Sequence, residues 1–352
     1  MSNPTVSVII DTYNHERFIE DAIRSALDQD FPRSQMEILV VDDGSTDRTP
    51  EIVRKFEPQV RLLRKLNGGQ ASAFNFGIEH ARGELVAFLD GDDVWLPDKL
   101  SRVVAEFERD PAEVMVYHQF SFWDSRSGKQ WEGDHRNISG DILADRRKLL
   151  RYQAAPTSSL VFRRAALERL LPVPSDLTFM ADAYLVHTAI FLGSVGFLSE
   201  CLARNRVHGG NLWFTESAKP NEAVLRRRIE VRELAIQGVL KWVQSNVPIA
   251  SHPSAGTLFR LWRLVQDVDK FRLMPPSRFR EFVHLCRHAL LEAPIVSRGE
   301  LAYRWMYAFA FLIVGKHAHY LAGVRTRVRK LKRRLQGRVN PERAGESAGH
   351  VS

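Results

Sequence analysis

Residues 85–93 read Leu-Val-Ala-Phe-Leu-Asp-Gly-Asp-Asp, an unbroken apolar run that ends in three carboxylates. An earlier stretch, Val40-Val41-Asp42-Asp43-Gly44-Ser45, has the same arrangement. Short continuous apolar runs are typical of parallel strands that are buried on both faces. Ligands of open α/β sheets bind beyond the carboxyl ends of the strands, so we expect these carboxylates in a ligand crevice. A third acidic motif, Met180-Ala181-Asp182, is expected to follow a later strand end in the same way.

The segment Asp90-Gly91-Asp92 offers two carboxylates from one turn. Hard oxygen donors at this spacing suit Mg²⁺ or Mn²⁺ bound together with a diphosphate. An isolated Asp-Gly-Asp-Asp is more often a solvated turn followed by a helix cap. The position of this copy, directly after an apolar strand, favours the metal site.

Strand and helix patterns alternate on both sides of this motif. Strands are predicted at residues 6–10, 37–41, 60–63, 85–89 and 114–116. Apolar residues at helical spacing predict helices around 19–27, 50–56, 71–81 and 100–107. Thr49 is expected to cap the second of these helices, with Pro50 at its first helical position. The alternation predicts an α/β fold in which helices cover a mostly parallel sheet.

The pattern changes near residue 216, where long helical periods separated by proline clusters begin. We predict three regions: an α/β domain over 1–215, a smaller all-helical domain over 216–324, and a basic amphipathic tail over 325–352 that is partly disordered. The sequence shows no internal repeat.

The composition is that of an ordinary globular protein, with 44% hydrophobic and 26% charged side chains among 352 residues. It excludes wholesale disorder, collagen and coiled-coil rods. The two cysteines lie far apart in apolar contexts, which argues against a disulfide framework or a cysteine-based zinc site. No secretory signal is recognised at the start. The longest uncharged apolar run, 305–315, is shorter than the roughly 20 residues that span a bilayer.

The net charge of +8 is concentrated in the tail. Residues 301–352 carry 11 Lys and Arg against 2 Asp and Glu, whereas the first 300 residues carry 39 against 40. A basic helix with a narrow apolar stripe suits either a core helix followed by a solvated tail or an in-plane anchor on anionic lipid through 301–338. We expect no nucleic-acid partner, and a cytoplasmic protein that is peripheral on the inner face of the membrane if the anchor forms.

Five segments together resemble glycosyltransferase family 2, in the order and at the spacings typical of that family. The resemblance covers about residues 4–212 and implies a GT-A fold, Rossmann-like, with inversion at the anomeric carbon of a nucleotide sugar. The segments are Val8-Ile9-Ile10-Asp11-Thr12-Tyr13-Asn14, Val40-Val41-Asp42-Asp43-Gly44-Ser45-Thr46-Asp47, Asn67-Gly68-Gly69-Gln70-Ala71 with Asn75 and Gly77, Phe88-Leu89-Asp90-Gly91-Asp92-Asp93, and Arg206-Val207-His208-Gly209-Gly210-Asn211.

The resemblance also implies roles for single residues. Asp182 is similar to the catalytic base of the family, and Asp92 and His208 are similar to its metal ligands for Mn²⁺ or Mg²⁺. Asp43 would accept the N3–H of the base, which favours a UDP- or dTDP-sugar, and Asp90 would contact the ribose or the metal. The remaining residues implied to bind the nucleotide sugar are Thr12, Tyr13, Asn14, Gly69, Gln70, Asn75, Gly91 and Arg206.

The sequence departs from the family pattern at two positions. Asp11 stands where the family usually has proline; we expect little chemical effect, and base recognition is the property that an extra carboxylate at the strand end would alter. The usual Glu-Asp pair is Ala181-Asp182 here, which bears on acceptor recognition more than on catalysis.

The chemistry of inverting sugar transfer asks for the same residue types. One base takes a proton from the acceptor hydroxyl, and one cation stabilises the departing diphosphate. The apolar neighbours of Asp182 favour partial desolvation and a raised pKa. The acceptor is expected to be a glycan or a lipid-linked molecule in surface polysaccharide or glycoconjugate synthesis.

Simpler interpretations stay open for several residues. His208 suits a surface histidine, Asp182 suits a helix N-cap, and Gly68-Gly69 suits a plain turn. A non-catalytic nucleotide-sugar-binding or scaffolding protein on the same fold is the rival function. A dinucleotide-binding oxidoreductase is disfavoured because no Gly-x-Gly-x-x-Gly turn follows the first strand.

Overall fold

The computed structural model describes residues 4–133, 138–149, 152, 154–211 and 222–247. Nine strands are present there: β1 Val6–Thr12, β2 Met36–Asp42, β3 Arg61–Arg64, β4 Leu85–Asp90, β5 Val94–Trp95, β6 Glu113–Asp124, β7 Gln130–Glu132, β8 Leu160–Arg163 and β9 Ser194–Val207. The α-helices are α1 Ile19–Leu27, α2 Thr49–Arg54, α3 Gln70–His80, α4 Lys99–Arg109, α5 Arg146–Leu149, α6 Arg164–Leu170, α7 Ala181–Ala189 and α8 Glu222–Asn246. Short 3₁₀ turns cover Arg33–Gln35 and Thr157–Ser159.

The strands form one mixed sheet in the order β3-β2-β1-β4-β8-β6-β9-β5, with β7 paired to β6. The first four strands are mutually parallel, which confirms the prediction made from their apolar runs. Strand β8 is antiparallel to both β4 and β6, so the sheet is less uniformly parallel than predicted. Strand β9 returns parallel to β6 along most of its length.

Helices cover both faces of the sheet. Ile9 of β1 belongs to the apolar cluster shared with α3, α7 and α8, which includes Phe74, Tyr184 and Val239. Ile10, the next residue, belongs to the cluster on the opposite face, which includes Ile23 of α1 and Val103 of α4. The alternation of side chains along a strand therefore sends Asp11, which follows Ile9 by two, toward the α3 and α7 side.

The long helix predicted after residue 216 is present as α8. It packs by Val231, Ala235 and Val239 into the same cluster as the sheet and belongs to the same compact unit. The predicted boundaries at residues 215 and 324 stay predictions, and the tail 325–352 and the apolar segment 301–320 lie outside the described residues. No helix among the described residues combines the length and the apolar character needed to cross a bilayer.

Candidate active site

Three carboxylates lie at the carboxyl ends of three adjacent parallel strands. Asp11 of β1 is paired in register with Asp90 of β4, and Val41 of β2 occupies the corresponding position on the other side. Asp43 follows β2, and its backbone N–H donates to the Thr12 carbonyl at 2.9 Å. The sequence therefore placed these acids correctly, because the apolar runs fix where each strand ends.

The turn at residues 90–93 is held tightly against the end of β1. The Gly91 N–H donates to the Asp11 carbonyl at 2.9 Å. A Cβ on Gly91 would lie 2.7 Å from Thr12 Oγ1 and 2.9 Å from His15 Nδ1, so only glycine fits there. In this turn, oxygen atoms of Asp90, Asp92 and Asp93 lie within 4.8 Å of one another. The arrangement is compact enough for a divalent cation.

Asp92 and His208 are in direct contact. His208 Nε2 lies 2.9 Å from Asp92 Oδ2, and Asn211 Nδ2 donates to the same oxygen at 3.3 Å. The Gly210 N–H lies 3.1 Å from His208 Nδ1, so the His208 ring is held between Asp92 and the turn that follows β9. Burial raises the pKa of Asp92, but the charge of His15 and the His208 hydrogen bond outweigh it, and the pKa falls below its usual value.

Asp93 is used inside the protein. Its Oδ2 accepts from Ser158 Oγ at 2.6 Å and from Asn205 Nδ2 at 2.8 Å, and its Oδ1 accepts from the Arg206 N–H at 2.8 Å. Both oxygens are thereby committed to β9 and to the 3₁₀ turn. Of the three clustered carboxylates, Asp90 and Asp92 are the better placed to hold a cation.

The side chain of Arg206 holds the turn at residues 90–93. Its Nε donates to the Asp92 carbonyl at 2.8 Å, and its Nη2 pairs with Asp21 at 2.8 Å. The guanidinium also lies 4.3 Å from the ring centroid of Trp123. These contacts engage the guanidinium within the protein, so they support a role in shaping the turn. Direct contact with a nucleotide sugar stays a prediction.

Asp11 and Asp90 are electrostatically unfavourable neighbours without a cation. Burial, and next the charge of Asp92, raise the pKa of Asp11 to about 8. Burial and the charge of Asp11 hold the pKa of Asp90 well above its usual value. Asp11 Oδ1 is buried and has no hydrogen-bond partner. A divalent cation would relieve this crowding, so the donor set fits such an ion.

Asp43 anchors the loop between β3 and α3. Its buried carboxylate pairs with Lys65 Nζ at 2.6 Å and accepts the N–H groups of Gly68 and Gly69, the latter at 2.7 Å. Gly69 has a φ of +79°, and a Cβ there would lie 2.6 Å from Thr178 Cα. Gly68 and Gly69 are therefore part of a built carboxylate-binding turn and not a plain surface turn.

The residues after β1 divide into exposed and internal groups. Tyr13 is 44% exposed and presents an aromatic ring at the sheet edge, whereas Thr12 is buried and its hydroxyl has no partner. Asn14, in the left-handed region at φ 57°, accepts the N–H of Thr46 at 2.8 Å. Asn14 thus joins two loops of the edge, and its predicted contact with a nucleotide sugar stays a prediction.

Gln70 and Asn75 both make internal amide contacts. Gln70 Oε1 accepts the Ala181 N–H at 3.0 Å, and its Nε2 donates to Thr157 Oγ1 at 3.2 Å. Asn75 uses both polar atoms on the backbone of Val173, at 2.8 and 2.9 Å. Gln70 therefore links α3 to the start of α7 at the site, while Asn75 fixes the segment that leads toward it. Their predicted contacts with a nucleotide sugar stay predictions.

Asp182 lies in the first turn of α7, not at a strand end as expected. The helix begins at Ala181 after Met180, whose φ is +65°, and Asp182 does not cap it. Asp182 Oδ1 accepts its neighbour's N–H at 2.7 Å, and Oδ2 lies 3.5 Å from Thr157 Oγ1. Burial raises the pKa of Asp182 to about 6. Asp182 is linked to the carboxylate turn through the 3₁₀ turn, because Thr157 contacts Asp182 and the next residue, Ser158, accepts the Asp90 N–H at 3.1 Å.

Sequence comparison identifies the family. The sequence model described as glycosyl transferase family 2 matches residues 7–171. An uncharacterized glycosyltransferase of Nostoc sp. is 35% identical over 228 residues, covering 62% of this chain and 69% of that protein. An uncharacterized glycosyltransferase of Rickettsia prowazekii is 36% identical over 209 residues, covering 58% and 65%. The chain belongs to glycosyl transferase family 2, although each match spans only about two thirds of the relative.

Solved structures with the same fold include two glycosyltransferases. TarS of Staphylococcus aureus, residues 1–349 in complex with UDP-GlcNAc, has a TM-score of 0.54 at 20% identity and covers 88% of this chain and 92% of that one. The mannosyltransferase PcManGT of Pyrobaculum calidifontis, in complex with GDP-Man and Mn²⁺, has a TM-score of 0.53 at 22% identity, with coverages of 91% and 84%. At these identities the likeness concerns the fold.

Several residues of the site had no sequence signal that singled them out. Thr157 and Ser158 bond to Asp182, Asp90 and Asp93 from a 3₁₀ turn that was not predicted. Lys65 pairs with Asp43 across a loop. Their importance follows from contacts between segments more than 20 residues apart along the chain.

Proposed function

We propose that this glycosyltransferase moves a sugar, with inversion and with the help of a divalent cation, from a UDP- or dTDP-sugar to an acceptor hydroxyl. The observation that carries the proposal is the convergence of Asp43, the Asp90–Asp92 turn and Asp182 at one edge of the sheet. Each of the three suits one part of the reaction: base recognition, the diphosphate, and the acceptor proton.

The nucleotide end of the site lies around Asp43 and Tyr13. The two oxygens of the Asp43 carboxylate offer about four acceptor positions, some of which are used by backbone N–H groups. The N3–H of a base would compete there mainly with the Lys65 side chain, which also donates to Asp43. The exposed ring of Tyr13 offers a stacking surface for the base. Uracil and thymine both carry the N3–H donor that Asp43 would recognise, which is why UDP- and dTDP-sugars are preferred.

The diphosphate end of the site lies around Asp90 and Asp92, with His208 beside them. A bound Mn²⁺ or Mg²⁺ would neutralise charge that develops on the departing diphosphate. Asp92 is held ready by His208 and Asn211, and the low pKa of its carboxyl keeps it ionised. Arg206 fixes the peptide of the same residue through the Asp92 carbonyl.

The acceptor end of the site lies at Asp182. Its ionised carboxylate takes the proton from the attacking hydroxyl while the oxygen of that hydroxyl bonds to the anomeric carbon, and the bond from that carbon to the diphosphate breaks on the opposite face. The Thr157 hydroxyl and the Ala183 N–H hold the two carboxylate oxygens.

The acceptor is proposed to be a glycan or a lipid-linked molecule used in surface polysaccharide or glycoconjugate synthesis. One sequence relative, the TarS protein of Staphylococcus aureus, is named a poly(ribitol-phosphate) β-N-acetylglucosaminyltransferase and is 36% identical over 114 residues, 31% of this chain and 20% of that protein. Peripheral binding of the basic segment 301–338 to an anionic membrane is part of the same proposal.

Donor hydrolysis tests the proposed function without an acceptor. Purified full-length protein is incubated with a panel of nucleotide sugars and Mn²⁺, and release of free sugar is followed with and without a chelator. We expect chelator-sensitive hydrolysis of one UDP- or dTDP-sugar, since an active transferase leaks sugar to water. Tight nucleotide binding with no hydrolysis and no transfer would favour the non-catalytic alternative.

A further inference from the structure

Lys99, the first residue of α4, is fully buried. Its Nζ donates to the Ser158 carbonyl at 2.8 Å and lies 3.7 Å from the ring centroid of Trp95. Taking an ammonium out of water is unfavourable, and an apolar side chain of similar volume would fill this space without that penalty. Packing alone therefore does not explain a lysine at this position.

The same carbonyl receives a second donor. Trp95 Nε1 donates to the Ser158 oxygen at 2.9 Å, so both acceptor positions of that oxygen are occupied. The side chain of Ser158 points to the carboxylate turn: its Oγ donates to Asp93 at 2.6 Å and accepts the Asp90 N–H at 3.1 Å. Lys99 and Trp95 thus fix the peptide that holds the turn at 90–93.

The neighbouring residue reaches the proposed base. Thr157 Oγ1 lies 3.5 Å from Asp182 Oδ2 and accepts from Gln70 Nε2 at 3.2 Å. The 3₁₀ turn 157–159 therefore contacts the carboxylate turn through one residue and Asp182 through the residue before it. Movement of this turn would change the separation between the two ends of the site.

We propose that Lys99 is a positioning residue for sugar transfer, acting through the Ser158 carbonyl to hold the turn 157–159 in register with both the carboxylate turn and Asp182. The proposal rests on the proposed function, because it takes Asp90 and Asp92 to bind the cation and Asp182 to act on the acceptor. Lys99 itself touches neither substrate.

Three roles for Lys99 give different results on substitution. If it positions the turn, removing its donor disturbs the carboxylates and weakens cation binding. If it only compensates negative charge, its removal strengthens cation binding, because a nearby positive charge is lost. If it only fills space, methionine replaces it with no change in either binding or rate.

The test compares full-length Lys99→Met and Lys99→Arg with Arg102→Met as a control. Arg102 lies one turn away on α4, and its side chain is 57% exposed. For Lys99→Met we expect Mn²⁺, measured by calorimetry, to bind about 10-fold more weakly, and kcat at saturating Mn²⁺ to fall about 10-fold with little change in donor KM. Thermal stability is expected to stay equal or to rise, since a buried charge is removed.

The control variant Arg102→Met and the conservative variant Lys99→Arg show whether the effect is specific to the buried donor at position 99. Arg102→Met is expected to leave all three measurements unchanged, and Lys99→Arg to recover part of kcat because it keeps a charged donor. In the double variant Lys99→Met/Ser158→Ala, the loss of Mn²⁺ affinity is expected to be smaller than the sum of the single losses, since both act through one turn.

Several outcomes overturn the proposal. Tighter Mn²⁺ binding in Lys99→Met would show that Lys99 only compensates negative charge. Unchanged Mn²⁺ binding and kcat would show that it only fills space. Parallel losses of thermal stability and kcat would show that its role is purely structural. If the wild type transfers no sugar, the proposed function fails. The Mn²⁺ affinities of wild type and variants then still decide whether Lys99 positions the carboxylate turn.

Discussion

Asp11 and Asp90 face each other in register on the parallel strands β1 and β4, and the buried Oδ1 of Asp11 has no hydrogen-bond partner. Two ionised carboxylates at directly paired positions of neighbouring strands repel one another unless a proton or a cation lies between them. Asp11 adds a second acid beside Asp90 at this edge of the sheet. It makes the edge of the sheet more acidic than the turn 90–93 alone.

Replacing Asp11 with asparagine tests this crowding. The free energy of unfolding of the metal-free protein is expected to rise by about 2 kcal/mol at pH 8, because burial and the charge of Asp92 oppose ionisation of Asp11 in the folded protein, and asparagine removes that penalty. The stabilisation by Mn²⁺ is expected to shrink, since the cation loses an attractive charge. Denaturant unfolding with and without Mn²⁺ measures both. Asp176→Asn, an exposed acid of the 171–180 segment, is the matched control. A lower metal-free stability with undiminished Mn²⁺ stabilisation would contradict the assignment.

The rate of transfer is expected to depend on the ionisation of Asp182. Burial raises the pKa of its carboxyl to about 6, and a general base works only when deprotonated. Hence kcat should rise with pH through about 6 and level off above it. The hydrogen bond from Thr157 lowers this pKa, so Thr157→Val should move the inflection to higher pH. A kcat profile without an inflection between pH 5 and 7 would remove Asp182 as the titrating group.

Gly69 is expected to be irreplaceable by alanine. Its φ of +79° disfavours any other residue, and the new Cβ would lie 2.6 Å from the Thr178 backbone. Gly128 provides a matched control, because its φ is +69° and a Cβ there meets nothing within 4 Å. We expect Gly128→Ala to cost about 1 kcal/mol of unfolding free energy and Gly69→Ala about 3 kcal/mol. Equal losses in denaturant unfolding would show that the close approach to Thr178 is unimportant.

Tyr13 is expected to contribute to nucleotide binding and not to stability. Stacking of a base on an aromatic ring is worth about 1–3 kcal/mol, so Tyr13→Ala should weaken UDP or dTDP binding by about 5- to 150-fold. Trp131, another exposed aromatic residue, is stacked on Phe122 and serves as the control. Calorimetric titration with each nucleotide measures the effect. Undiminished affinity in Tyr13→Ala would place the base elsewhere.

The strands that carry the acids were predictable for a simple reason. Strands β1 and β4 are buried on both faces, and their apolar runs, at residues 8–10 and 85–89, stop at Asp11 and Asp90. Strand β9 carries Ser, Glu, Arg and Asn among its apolar residues, and β8 has only four residues. Neither strand has an apolar periodicity strong enough to identify it from the sequence. The antiparallel pairing of β8 could therefore not be predicted.

The positions of the acids at the strand ends were predictable from the sequence, whereas the internal contacts of the amides were not. An apolar run that stops at a carboxylate fixes the position of that carboxylate at a strand end, whereas an asparagine serves equally well in a ligand site or in fixing the backbone. Asn14 and Asn75 both bond to neighbouring loops, a use that depends on which segments meet in the fold. Lys99 and Ser158 are 59 residues apart along the chain, and no local sequence pattern predicts their contact.

The most direct test of the account is the comparison of wild type with Asp182→Asn, using the nucleotide sugar that the wild type hydrolyses. The account predicts that nucleotide affinity in the presence of Mn²⁺ stays within about twofold, while transfer falls by about 100-fold or more, because asparagine keeps the volume and cannot take a proton. Unchanged turnover in Asp182→Asn, with the protein folded and the nucleotide bound, would contradict it.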